Sequence, residues 1–296
     1  MKIKIPIFLI SFIFVFRSFF AYADMGKIKV TASIPPLAEF AEGVGGDRVE
    51  VNTMIPPGAN LHTYEPTPNQ LKLLHEAKLF IAAGSGIEFE LAWLSKLKGI
   101  NPDLQICDSS KGIGLLSSHD VHDQKQKTFG FRHYSDPHTW LSPVNAIQMV
   151  RNIEKAFSKI DPAGKVIYGE QAELYITKLK KIDLQIRSAL SPFRGRSFVV
   201  YHPAWAYFAK EYSLKEVSLE VEGKEPTARQ FSSVIDDVKL KKNRVIFASP
   251  WSSAKGAEVV ANATHAKVEL IDELGPDYTE NMLAVSQKIE ESLKGS

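Results

Sequence analysis

The sequence predicts an α/β fold: two lobes of parallel strands and helices, joined by one long helix. Short β-branched or apolar runs alternate with amphipathic stretches along the chain, the signature of βαβ units. Phe198–Ala209 can be laid over Val30–Ala41 at a constant offset of 168, with strand, turn and helix in phase and Pro, Ala, Phe and Ala identical. Between these two stretches, Tyr168, Ala172, Tyr175, Leu179, Ile182, Ile186 and Leu190 recur at steps of four and three, one face of a helix.

The first element is a processing signal. Lys2 and Lys4 precede an apolar run from Ile5 to Phe16, and Ala21-Tyr22-Ala23 forms an A-x-A site before Asp24. The run is too short to cross a bilayer. Residues 1–23 are expected to be a cleaved secretory signal peptide, and no cysteine follows the cut to carry a lipid anchor, so a mature protein free in the periplasm is expected. Cleavage removes Lys2, Lys4 and Arg17 from 36 basic residues and none from 34 acidic ones, taking the formal charge from +2 to −1. That balance argues against nucleic-acid or acidic-membrane binding. Cys107 is the only cysteine, which excludes an internal disulfide and a zinc–thiolate cluster.

Lys27–Ala32 is predicted as a strand, Leu37–Val44 as a helix and Val49–Ile55 as a strand, followed by a Pro56-Pro57-Gly58 loop. A helix over about Thr67–Glu76 and a strand at Leu79–Ala83 continue this lobe, residues 24–160. Ser117–His133 is polar and uneven and is read as a surface loop. Asp161-Pro162 is predicted to be an N-cap with a proline in the first helical position. A helix from there to Leu190 is about 40 Å long, a rigid strut that argues against large hinge closure. It fills the linking segment 161–191. The second lobe, residues 192–296, opens with a strand at Ser197–Tyr201 and a helix near Ala204, and has a later strand at Ala266–Ile271.

Four metal-binding residues stand out: His62, His138, His202 and Asp272, spaced 76, 64 and 70 positions apart. Ligands of a local zinc finger crowd within a few dozen residues, so this set can converge only through the fold. His62 lies in a loop stiffened by proline and glycine, where an imidazole can be aimed at little entropic cost. His138 follows Asp136-Pro137, and either Asp136 or a backbone carbonyl can take the proton of its second ring nitrogen. His202 and Asp272 each follow a predicted strand, at the carboxyl end where open α/β sheets bind ligands. Each residue alone also has an ordinary reading: a surface loop histidine for His62 and His138, a satisfied buried histidine for His202, a helix cap for Asp272. Trp140 reads as core, and His75 and His265 as structural or exposed residues on helix faces.

Taken in order, five segments resemble the periplasmic zinc and manganese solute-binding proteins of ABC transporters. They are Pro57-Gly58 with His62-x-Tyr64-Glu65-Pro66, Asp136-Pro137-His138-x-Trp140-Leu141-Ser142-Pro143, His202-x-Ala204-Trp205-x-Tyr207-Phe208, Glu222-Gly223-Lys224-Glu225-Pro226, and Ile271-Asp272. The resemblance covers nearly the whole mature chain. It implies two Rossmann-like βα lobes joined by one long rigid helix, with a metal in the interlobe cleft and His62, His138 and His202 as ligands. It implies a fourth ligand that is a carboxylate at Asp272 in some members and water in others. It also implies a monomeric receptor, not an enzyme, that hands its ion to an inner-membrane ABC permease.

Three imidazoles and a carboxylate suit tetrahedral Zn²⁺. Histidine rather than glutamate at position 202 also favours zinc within the resemblance, with Mn²⁺ or iron as the alternative. The stretch 117–133 departs from the His- and acid-rich loop of many zinc members, having only His119, His122 and His133 as a candidate accessory site. A zinc hydrolase is the rival from another class, since three histidines with an open water position would serve it. No H-E-x-x-H accompanies any ligand, and Glu65 and Glu222 are the nearby candidates for a base. A metal-binding adhesin on the same fold is a third reading.

Overall fold

The computed structural model describes residues 26–116, 127–128, 131–132, 135–220, 235, 244–252 and 254–295. Residues 1–23, expected to be a signal peptide, and His119, His122, His133 and the Glu222–Pro226 segment lie outside the described residues.

The first lobe runs β1 (Ile28–Ala32), α1 (Pro35–Gly45), β2 (Val49–Thr53), α2 (Pro68–Glu76), β3 (Leu79–Ala82), α3 (Glu88–Ile100) and β4 (Gln105–Asp108). Its strands are parallel in the order β2-β1-β3-β4. Helix α1 starts two residues before the predicted Leu37, because Pro35 and Pro36 occupy the first turn, where a missing N–H breaks no bond. Thr67 caps α2 in a reciprocal box with Gln70, which satisfies donors that the helix itself cannot. Strand β3 is buried along its whole length, as a parallel strand covered on both faces must be. A two-residue antiparallel ladder, β5 (Lys127–Thr128) with β6 (Phe131–Arg132), follows.

Two helices lead to the second lobe: α4 (Pro143–Ile160), capped by the Ser142 side chain, and α5 (Lys165–Leu190). The predicted face of α5 is its buried face, with Ile176 added. Asp161 and Pro162 hold the expected N-cap and first-turn positions, but of a separate 3-10 turn, Pro162–Gly164, and α5 itself begins only at Lys165. The Asp161 carboxylate makes no side-chain cap bond to that turn; Arg48 Nη2 (2.6 Å) and Nε (2.9 Å) and the Tyr168 hydroxyl (2.6 Å) donate to it. Gly164 closes this junction, where a β-carbon would lie 2.5 Å from the Tyr168 ring.

The second lobe contains β7 (Ser197–Val200), α6 (Ala206–Glu211), β8 (Lys215–Ser218), β9 (Val245–Ala248), α7 (Ala254–Thr264), β10 (Lys267–Leu270) and α8 (Tyr278–Lys294). Its parallel order is β10-β9-β7-β8. Numbered within its own lobe, each sheet therefore reads 2-1-3-4, and β7 occupies the place of β1, as the offset of 168 implied. Side chains alternate across this sheet. Phe198, Val200 and Phe247 join the main core, while Val199, Tyr201, Ile246 and Ala248 pack with Ala257 and Val260 of α7 in a second one.

Several bonds fix one lobe against the other. The Trp140 indole donates to the Glu273 carbonyl (2.8 Å), and the Tyr278 hydroxyl donates to the Trp140 carbonyl (2.6 Å). Glu39 accepts from the Tyr175 hydroxyl (2.5 Å) and the Tyr278 N–H (2.6 Å). Tyr207 donates to the Asp136 carbonyl (3.0 Å). The carboxyl ends of both sheets are thereby held facing a common cleft.

Candidate metal centre

His62 follows β2 in the irregular loop that the prolines and Gly58 enforce. Its N–H donates to Asn60 Oδ1 (2.9 Å), and the neighbouring Leu61 is buried and anchors the turn. Its Nδ1 lies 2.7 Å from Glu88 Oε2, where α3 begins. Desolvation is the largest influence on Glu88 and opposes its ionisation, but the bond to His62, the charge of that ring and a backbone hydrogen bond together outweigh it and hold the carboxyl below its usual range.

His138 is set by a short turn. Asp136 Oδ1 accepts from both the His138 N–H (2.9 Å) and Nδ1 (2.8 Å), locking backbone and ring together. The Ser85 hydroxyl donates to the Pro137 carbonyl, tying this turn to the end of β3. Gly84, just before it, has φ of 75°, and a β-carbon there would meet Asp108 Oδ1 at 1.8 Å. His202 leaves β7, and its Nδ1 lies 2.8 Å from Glu220 Oε2, at the end of the adjacent strand β8. The Glu220 N–H donates to the Tyr201 carbonyl (2.9 Å), which keeps the two ends in step. Burial pushes the His202 imidazole down to about 4, although the bond to Glu220 works the other way.

Each imidazole thus has its Nδ1 against a carboxylate. An ionised carboxylate only accepts, so Nδ1 carries the hydrogen and Nε2 the lone pair, the tautomer that ligates through Nε2. The three rings converge, with one ligand atom from each within 4.8 Å of the others. His62 Nε2 and His202 Nε2 are 3.0 Å apart. His138 Nε2 is buried and has no hydrogen-bond partner. A buried nitrogen of this kind is costly unless something binds it. Trp251 roofs the group, its ring centroid 5.0 Å from that of His202 and 5.9 Å from that of His62, with its indole N–H donating to Glu273 Oε2 (3.3 Å).

Asp272 follows β10 as predicted, but it does not belong to the converging group. Its Oδ1 accepts from the Leu274 N–H (2.8 Å), and burial raises its carboxyl against that bond. Trp140 is fully buried, in accord with its reading as core, and its ring also lies 5.4 Å from that of His138. Glu65 is exposed. His75 is exposed on α2, with Nδ1 3.0 Å from the Ile100 carbonyl oxygen, whereas His265 sits beyond the end of α7 with φ of 55° rather than on a helix face. Sequence reasoning missed Glu88, Glu220 and Trp251. Glu220, two residues past a strand that pairs with the His202 strand, is the one that a correct strand order would have exposed.

A model of the family described as "Zinc-uptake complex component A periplasmic" matches residues 30–292. The chain is 30% identical to the high-affinity zinc uptake system protein ZnuA of Bacillus subtilis (strain 168) over 252 residues, 84% of this chain and 79% of that protein. It is 28% identical over 289 residues to the zinc-binding lipoprotein AdcA of Streptococcus pneumoniae (strain ATCC BAA-255 / R6), covering 91% of this chain but only 56% of the relative. The chain therefore spans about half the length of that relative. Among solved structures, a crystal structure of ZnuA superposes with a TM-score of 0.83 at 35% identity, covering 90% of this chain and all of the other. The laminin-binding protein Lmb of Streptococcus agalactiae, described as having both adhesin and metal-transporting activity, superposes with a TM-score of 0.78 at 26% identity, covering 90% of this chain and 100% of that one.

Proposed function

The chain belongs to the periplasmic zinc-uptake component A family, and on that premise we propose that it is a receptor that captures Zn²⁺ outside the cytoplasm and delivers it to an ABC permease in the inner membrane. The observation that carries the reading is the convergence of one ring nitrogen from each of three histidines, with His138 Nε2 buried and without a partner. His62, His138 and His202 are the ligands in this reading. Asp272 or a water molecule completes a tetrahedral shell, and since Asp272 stands apart from the histidines, water is the simpler fourth ligand unless the β10–α8 loop moves inward.

Three nitrogen donors favour zinc over manganese, which prefers oxygen-rich octahedral sites. The division into a leader at 1–23, lobes at 24–160 and 192–296 and a linking segment at 161–191 belongs to the same proposal. So do the cleavage after Ala23 and action as a monomer. No helix among the described residues is long and apolar enough to cross a membrane.

The test is metal content and competitive titration of residues 24–296 with Zn²⁺ against Mn²⁺. One tight zinc equivalent that manganese fails to displace supports the proposal. A preference for manganese keeps the receptor and changes its ion, and the lack of any tight site overturns the reading.

A further inference from the structure

The three imidazole–carboxylate pairs are chemically alike but differ in their access to water. The His138 and Asp136 side chains are 2% and 14% exposed, and those of His202 and Glu220 are 4% and 13% exposed. In the third pair His62 is 20% exposed and Glu88 52% exposed. The supports differ in the same direction. Asp136 is pinned by a backbone N–H as well as by the ring, and Glu220 is held in register by a strand end. Glu88 stands on the first residue of α3, a helix with no side-chain cap, where the helix dipole favours a carboxylate and its side chain is about half exposed.

Ligand exchange at a bound ion begins where an incoming group can reach, and where a ligand can swing away without stranding a buried polar atom. His138 meets neither condition, because its Nε2 is buried without another partner. His62 meets both. We propose that His62 is the ligand through which the ion leaves, and that Glu88 is the positioning residue that sets how long the ion stays. Glu88 does so by holding the His62 ring, through Nδ1, in the orientation that binds. It touches no metal itself. The inference rests on the receptor reading above and adds the order and control of release.

The experiment compares the unmodified protein, Glu88→Ala and Glu88→Gln, each loaded with one Zn²⁺ and mixed rapidly with excess chelator. Glu88→Ala is expected to release zinc about 10–100-fold faster, the range typical of a lost outer partner, with the association rate little changed. Glu88→Gln is expected to stay within about threefold of the unmodified rate, because the amide oxygen still accepts from Nδ1 although the charge is gone. The zinc-free melting temperatures of all three should agree, which a merely structural role for Glu88 would not give. Release from Glu88→Ala at the unmodified rate overturns the inference. So does release from Glu88→Gln as fast as from Glu88→Ala, which would assign the effect to charge at the helix start. Failure of the unmodified protein to hold zinc at all is a different result, and it overturns the receptor reading.

Discussion

His62 Nε2 and His202 Nε2 stand 3.0 Å apart although they come from opposite lobes. With both Nδ1 atoms turned to carboxylates, two lone pairs converge, and they repel unless they share an electrophile. Tetrahedral zinc with bonds of 2.0–2.1 Å holds its nitrogen ligands about 3.3 Å apart, so the pair is already near coordination distance.

Replacing His62, His138 or His202 by alanine should therefore each weaken zinc binding at least about 100-fold in competitive titration, because two imidazoles cannot make up a three-nitrogen site. Asp272→Ala should cost less than about tenfold if water takes the fourth place. Equal losses at all four positions would show a closed, all-protein shell.

Stability should fall as pH rises through neutrality. Desolvation pushes Glu90 up to about 7, Glu216 to about 8 and Glu273 to about 7. Between about 4.5 and these values the folded chain holds protons that the unfolded chain has lost, so each step up in pH favours unfolding. His202 acts oppositely but lower, between its folded value of about 4 and the ordinary 6.5, where only the unfolded chain is protonated. Above pH 6.5 the carboxyls act alone. The melting midpoint of the metal-free protein is expected to drop by about 5 °C or more from pH 6.5 to 8.5. A flat profile would contradict the burial of Glu90 and Glu273.

Trp251 should report the ion. Its ring lies against two of the three imidazoles, so zinc binding should change its emission, and the change should vanish in Trp251→Phe while affinity stays within about tenfold. A signal that persists in Trp251→Phe would assign it to Trp140, the other indole beside a site histidine.

Arg48→Ala should destabilise the protein by about 3 kcal/mol in denaturant titration without altering zinc affinity, since it strips the charge partner from the buried Asp161 carboxylate. That carboxyl lies below its usual range: desolvation raises it, but the Tyr168 and Arg48 bonds prevail. Asp161→Asn should cost less than Arg48→Ala, because it leaves no bare charge behind.

Local signals carried most of the fold. The apolar period of α5, the run of α2 and the β7 run each depend on neighbours in sequence, and each lies within a residue or two of its predicted place. Asp161 takes the cap position without a side-chain cap bond, because the partners of its carboxylate, Arg48 and Tyr168, are chosen by packing rather than by proximity along the chain. The site divided along the same line. Asp136 was readable because it sits two residues from His138, whereas Glu88 reaches His62 from the start of another helix. The position of Asp272 relative to the histidines depends on where β10 ends and how its loop turns, which no spacing encodes.

The repeated 2-1-3-4 sheet has a consequence for how tightly an ion can be gripped. Each module alone offers at most two of the four candidate groups, His62 and His138 from one and His202 and Asp272 from the other, so neither half is a strong chelator. Affinity belongs to their fixed juxtaposition, an effective concentration maintained by α5 and the bonds across the lobes, much as a short linker makes a second binding event intramolecular. Cutting α5 should leave every candidate ligand present and the grip largely lost. A docking partner that strains the join between the halves can lower affinity without touching a single imidazole.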